Sequence, residues 1–150
     1  MSERIYFDTS ALAKWYIRET DSEEVEAFIL AHGPVYISSL TAVEMRSLLA
    51  RRRRNNDISA EIEMQIFSTF NEDIREGHLI EYPISEEITA IAIYIVSVLL
   101  RPSIRTLDAL HLALCKQNSL DKFATADQVM MEAGEVLGLQ VIKFEKSSEL

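Results

Sequence analysis

Short apolar runs separated by amphipathic stretches set the rhythm of this chain. Ile5-Tyr6-Phe7, Val35-Tyr36-Ile37, Leu79–Tyr82, Lys122–Thr125 and Leu139–Phe144 are rich in β-branched and aromatic residues and too short for helices. Each predicts a strand. Between them, apolar residues recur at helical spacing. Thr9-Ser10 offers an N-cap to a helix over 11–17. Asp21 and Glu24 stand at capping-box spacing before the stripe Val25, Phe28 and Ile29, and His32-Gly33-Pro34 stops that helix. A third helix runs from Ser38–Thr41 to the Arg51–Arg54 block, where Asn55-Asn56-Asp57 ends it. Ser59 caps a fourth, with Ile62, Ile66, Phe67, Phe70 and Ile74 on one face and Gly77 closing it. Ser85 and Pro102 bracket an apolar helix, Thr106 starts another through about Gln117, and a last one covers 127–137.

Strands alternating with helices, without hairpin signals such as Asn-Gly, predict an α/β fold of three layers around a mainly parallel sheet. The 150 residues predict one domain, 1–150, with a frayed tail from about residue 145. No repeat or linker interrupts it.

That architecture gives particular acids a common address. In a parallel sheet the carboxyl ends of the strands and the amino ends of the following helices share one edge, where ligands bind. Asp8 follows the first strand, Glu44 and Asp108 fall in first turns of helices, and Asp127 follows the strand ending at Thr125. Singly, each has a structural explanation. Thr41 and Glu44 have capping-box spacing, Asp108 suits the positive end of a helix dipole, and Asp127 is a ready N-cap. Four carboxylates on one edge would raise one another's pKa unless compensated. A hard divalent cation supplies that compensation, and oxygen ligands without His or Cys suit Mg²⁺ or Mn²⁺.

Charge and composition narrow the setting. Fifteen Lys and Arg against 24 Asp and Glu leave a formal net charge of −9, so a polyanion would need local basic patches or metal ions to approach. Cys115 is alone, which excludes an intramolecular disulfide and suits a reducing cytoplasm. The N-terminus shows no basic segment followed by an apolar stretch, so no signal peptide is expected. The most apolar run, Ile88–Leu100, is too short for a membrane span and contains Thr89, Tyr94 and Ser97. It reads as a buried helix or as one lending a face to an interface.

The segments Tyr6-Phe7-Asp8-Thr9-Ser10, Leu40-Thr41-Ala42-Val43-Glu44, Leu107-Asp108-Ala109-Leu110-His111-Leu112-Ala113 and Ala124-Thr125-Ala126-Asp127 together resemble the PIN-domain nuclease family. Within it the chain looks most like the VapC-type toxins of toxin–antitoxin pairs. The resemblance covers essentially the whole chain, including Gly138-Leu139-Gln140-Val141. It implies a metal-dependent endoribonuclease in which Mg²⁺ or Mn²⁺ lowers the pKa of water for attack on phosphorus. It places the family's acidic ligands on Asp8, Glu44, Asp108 and Asp127; we assign Asp8, Asp108 and Glu44 to primary coordination and Asp127 to a role through water or on a second metal. It matches Ser10 to a supporting hydroxyl, with Thr125 beside it in the same role. It also implies a small inhibitory antitoxin and a homodimer.

Three features lie beside that pattern. His111 is three residues from Asp108 on one helix and could share a metal, but a packed or rim histidine explains it as well; His32 and His78 have no matching neighbours. Arg51–Arg54 could be a solvated helix end favoured by the dipole. Arg51 lies two turns beyond Glu44 on the same face, so Arg51 and Arg52 could instead hold an RNA phosphate or a partner's carboxylate. Other classes fit less of the chain. A haloacid-dehalogenase-type phosphatase wants a second Asp where Ser10 stands, and a receiver domain wants paired acids where Asp8 is single. A non-catalytic module using the same acids stays open.

Overall fold

The computed structural model describes residues 3–145. The elements are β1 (Ile5–Phe7), α1 (Thr9–Tyr16), α2 (Ser22–His32), β2 (Val35–Ser38), α3 (Ser39–Arg54), α4 (Ala60–Arg75), β3 (Leu79–Tyr82), α5 (Glu86–Val98), α6 (Thr106–Gln117), β4 (Lys122–Thr125), α7 (Gln128–Val136) and β5 (Val141–Lys143). The frayed tail expected near the C-terminus falls on 146–150, outside the described residues.

The five strands form one sheet, ordered β3-β2-β1-β4-β5 and parallel at every pairing. The pleat divides neighbours between two cores. Ile5 and Phe7 join Val35, Ile37, Leu79 and Ala124 on one face, against Leu12, Val25, Met45 and Phe70 of α1–α4. Tyr6 and Phe123 point to the other face, against Ile95, Leu112, Leu114 and Met130 of α5–α7. Three layers result. The apolar helix α5 is not wholly core: Ile88, Ala92 and Ile95 are buried, whereas Ile93, Tyr94 and Val96 are exposed.

Several helix starts differ from the expected ones. Asp8, rather than Thr9 or Ser10, caps α1, its Oδ1 accepting the Ala11 N–H at 3.1 Å. Asp21 makes no side-chain cap and sits in the left-handed region at φ 70°. Ser22 replaces it locally, accepting the Glu19 N–H and donating to the Ile17 carbonyl. Ser38 and Thr41 form the box at the start of α3, so Glu44 has no capping work to do. Ser59 and Ser85 cap α4 and α5 as expected.

α7 lies close on β5 because residue 134 is glycine. A Cβ there would stand 2.8 Å from Val141 Cγ2. Gly134→Val should therefore lower stability by about 1–3 kcal/mol through overpacking, read as a shift in denaturant midpoint.

The topology fixes where a ligand meets the sheet. From β1 the chain proceeds to β2 and β3 on one side, then returns to lay β4 and β5 on the other. Connections leave β1 and β4 in opposite directions, and their carboxyl ends form the crevice that open parallel sheets use for binding. Asp8 ends β1 and Ala126-Asp127 follows β4.

Candidate active site at the carboxyl edge of the sheet

Asp8 is buried, at 3% exposure, yet every polar contact it makes suits a carboxylate. Ser10 Oγ donates to Oδ1 at 2.6 Å and Thr125 Oγ1 donates to Oδ2 at 2.5 Å, beside the Ala11 amide. The same hydroxyls accept backbone amides from the end of β4: Ala126 N–H on Ser10 Oγ at 3.0 Å, and Asp127 N–H on Thr125 Oγ1 at 3.0 Å. Two hydroxyls thus tie the carboxylate at the end of β1 to the chain leaving β4. Burial pushes the Asp8 carboxyl above its ordinary pKa; the hydrogen bonds of Ser10, Thr125 and Ala11 pull against that.

Glu44 occupies the second turn of α3. Its Oε1 accepts from Thr9 Oγ1 at 2.7 Å and from His111 Nε2 at 2.5 Å. Burial alone would raise its pKa, but the hydrogen bonds it accepts from His111 and from the Thr9 hydroxyl outweigh it and hold the carboxyl below the usual range. Its Oε2 makes no hydrogen bond among the described residues. His111 is buried and its Nδ1 lies 2.6 Å from Tyr6 Oη. The ring is spent on Glu44 and Tyr6, so it is neither a rim histidine nor turned to share a cation with Asp108. Spacing alone carried one clue to it, since His111 shares a helix face with Asp108.

Asp108 lies in the first turn of α6. Its Oδ2 accepts the Arg105 N–H at 3.0 Å, the dipole-side role open to such an acid, while Oδ1 has no hydrogen-bond partner among the described residues. Asp108, Glu44, Thr9 and Ser10 line a cleft of about 830 Å³ together with Leu40, Val43 and Leu107. Asp8 stands one hydrogen bond behind Ser10. Asp127 differs: it is exposed, its Oδ1 caps α7 by accepting the Val129 N–H at 2.8 Å, and Ala126 rather than Asp127 lines the cleft. A separate shallow groove of about 560 Å³ lies between α7 and β5, away from these acids.

The cleft carries positive charge that the net value conceals. Lys14, Arg51, Arg52 and Arg105 line it alongside Glu19, Glu44 and Asp108. Arg52 pairs with Glu19 at 2.8 Å, and Lys14 donates to the Thr20 carbonyl at 2.6 Å. Arg53 lies 3.0 Å from the buried Glu63 of α4, which also meets Arg46 at 3.2 Å. The Arg51–Arg54 run is therefore not a uniformly solvated helix end. Arg51 forms no ion pair among the described residues and faces the cleft.

The residues available fit a hard cation better than a soft one. Glu44 Oε2 and Asp108 Oδ1 are uncommitted oxygens on the cleft, Asp8 adds a carboxylate behind it, and His111 is engaged elsewhere. The oxygens of Asp8, Glu44 and Asp108 do not all come within 4.8 Å of one another, a spacing that like charges favour. A tighter group, Asp73, Glu76 and His78, gathers ligand-type atoms within 4.8 Å at the opposite, amino edge of the sheet. Asp73 there accepts from Tyr16 Oη, and Glu76 pairs with His78.

A wholly parallel five-stranded sheet with carboxylates at its switch point defines a three-layer α/β protein with a cleft of mixed charge at the carboxyl edge of the sheet. The chain belongs to the PIN-domain family, whose model matches residues 5–136. It is similar to Ribonuclease VapC46 of Mycobacterium tuberculosis, 28% identical over 145 residues, covering 92% of this chain and 95% of that protein. Among solved structures it is similar to Mycobacterium tuberculosis VapC20, a sarcin-ricin-loop-cleaving toxin, with a TM-score of 0.69 and 16% identity over 87% of this chain and 95% of that one. It is similar also to FitAB bound to an IR36 DNA fragment, with a TM-score of 0.71 and 23% identity over 93% and 94% of the respective chains.

Proposed function

We propose that this chain is a divalent-metal-dependent endoribonuclease and the toxin of a toxin–antitoxin pair. The observation that carries the reading is that Glu44 and Asp108 line one cleft at the β1/β4 switch point, with Asp8 one hydrogen bond behind Ser10 on its wall. The ribonuclease name of the 28% identical relative and the toxin among the structural neighbours support the substrate and the biological role.

In this reading Asp8, Glu44 and Asp108 hold Mg²⁺ or Mn²⁺, and Asp127 acts from further out, through water or on a second ion. The bound metal supplies charge for the oxygens of the scissile phosphate and lowers the pKa of water. Ser10 and Thr125 fix the Asp8 carboxylate, and Thr9 fixes Glu44. Arg51 and Arg105 neutralise flanking phosphates at the rim of an otherwise acidic protein, while Lys14 and Arg52 are both held by Glu19. No side chain need attack phosphorus: the Ser10 hydroxyl is already donated to Asp8.

The test is cleavage of a structured RNA by the purified, partner-free chain. Activity should appear with Mg²⁺ or Mn²⁺ and vanish with EDTA. Undiminished cleavage in EDTA would overturn the metal dependence, and no cleavage of RNA with either ion would favour the non-catalytic module. The partner expected is a small antitoxin that occupies the cleft, and the setting expected is the cytoplasm; no helix is long and apolar enough to cross a membrane among the described residues. A homodimer through the exposed face of α5 is expected in sedimentation, weakened by Tyr94→Asp.

The arginines should separate. Arg51→Ala should lower kcat/KM by about threefold to tenfold and reduce the salt dependence by about one phosphate contact. Arg52→Ala should do less, because Arg52 is held by Glu19. Equal rates and equal salt slopes in the parent and both variants would make the run structural.

A further inference from the structure

The hydrogen bonds behind Glu44 form a buried series that the acidic cluster alone does not require. Tyr6 Oη stands 3.2 Å from Ser38 Oγ and 2.6 Å from His111 Nδ1, and His111 Nε2 stands 2.5 Å from Glu44 Oε1. An ionised carboxylate only accepts, so Nε2 must donate to Glu44. Burial pushes the Tyr6 phenol far above its usual pKa, so its oxygen keeps its one proton. The shorter contact takes that proton, and Tyr6 donates to Nδ1. Ser38, boxed with Thr41 at the start of α3, stands at the inner end of the series. At its outer end Thr9 Oγ1 is the second donor on Glu44 Oε1.

We infer that His111, oriented by Tyr6, is the positioning residue that holds Glu44 with Oε1 turned inward and Oε2 presented to the cleft. The inference rests on the proposed metal-dependent function and adds the device that aims one of its ligands. The geometry favours this over simple packing. Tyr6 projects from the central strand into the core, stacked on Phe123 with ring centroids 5.8 Å apart, so the series is anchored in the buried core. Glu44 and His111 are 67 residues apart and come from α3 and α6, so their hydrogen bond sets the separation of two helices that flank the cleft. Outer partners that orient metal-binding carboxylates are typically worth about 10- to 100-fold in affinity.

The experiment measures Mn²⁺ binding to the RNA-free chain by calorimetry, together with thermal melting and RNA cleavage, for the parent, Glu44→Gln, His111→Leu, His111→Gln and Tyr6→Phe. His111→Leu removes the donor while the Tyr6 hydroxyl can turn to Ser38, so the chain stays folded. It should bind Mn²⁺ about tenfold more weakly or worse, with a matching rise in the metal concentration needed for cleavage. His111→Gln restores an N–H at comparable reach and should recover affinity to within about threefold of the parent, and Tyr6→Phe should fall between. Folded His111→Leu with parental Mn²⁺ affinity, while Glu44→Gln is weakened, would overturn the positioning role and leave the metal-dependent reading intact. No Mn²⁺ binding by the parent would overturn both. Nitrogen-15 spectra of the metal-free parent give a readout free of substitution: a hydrogen on Nε2 and an accepting Nδ1 support the series, and a hydrogen on Nδ1 overturns it.

Discussion

Asp8→Asn is expected to lose RNA cleavage by about 100-fold or more, the scale on which removal of one electrostatic group at a phosphate site acts. The metal-free variant should nevertheless melt at a higher temperature than the metal-free parent. Asp8 is buried at the end of β1 and its ionisation is opposed chiefly by desolvation. Asparagine keeps an oxygen to accept from Ser10 and Ala11, and its amide can donate to Thr125 Oγ1 in place of the bond Thr125 now makes. The gain should be about 0.5–2 kcal/mol, the range seen when a site held for function is relaxed. The sign with pH follows from the raised pKa. The folded state binds the Asp8 proton more tightly than the unfolded chain, so this contribution is fully present below the unfolded value and is lost as pH rises through the folded one. Glu44 works the other way: its lowered pKa stabilises the fold above its unfolded value, and that is lost as pH falls through the folded one. The difference in melting temperature between parent and Asp8→Asn should therefore widen from acid to neutral pH and close when Mn²⁺ is added to the parent. A variant that melts lower at neutral pH, or cleaves as the parent does, would show that Asp8 is only a helix cap.

The strands and helices were legible because their signals are local. Ile5-Tyr6-Phe7 and Val35-Tyr36-Ile37 can only be strands at that length, and Ser59 and Ser85 announce their helices within four residues. The shared edge of Asp8, Glu44 and Asp108 followed from strand–helix alternation alone. What could not be read is which side chains meet there. Local spacing made Thr41 and Glu44 partners, but Thr41 pairs with Ser38, and Glu44 is bonded to Thr9 and His111, 35 and 67 residues away. Those contacts depend on the angles at which α3 and α6 cross the sheet, which no periodicity encodes. Helical spacing put Arg51 on the Glu44 face, but it did not say which of the four arginines would be held by acids. Folding gives Arg52 to Glu19 and Arg53 to Glu63, and leaves Arg51 facing the cleft. The net charge of −9 was similarly uninformative about a cleft with four basic residues at its margin.

Asp108→Asn and Asp127→Asn should separate an acid that lines the cleft from one that does not. Both substitutions preserve a helix-capping oxygen, since asparagine caps about as well as aspartate. The Arg105 N–H on Asp108 and the Val129 N–H on Asp127 can therefore stay satisfied, and neither variant should lose more than a few tenths of a kcal/mol in stability. Charge at the cleft is what changes. Asp108 lines it with an uncommitted oxygen near Glu44, so Asp108→Asn should reduce RNA cleavage by about 100-fold and weaken Mn²⁺ binding by the RNA-free chain. Asp127 is exposed and its side chain is turned to the start of α7, so Asp127→Asn should cost less than about tenfold and leave the first Mn²⁺ affinity near the parent's. Equal losses would return Asp127 to the inner ligand set and require its cap on α7 to break when metal binds. A harmless Asp108→Asn would move the site away from the cleft altogether. The two substitutions remove the same charge from the same sheet edge, so a difference of about tenfold or more between them can come only from where each carboxylate points.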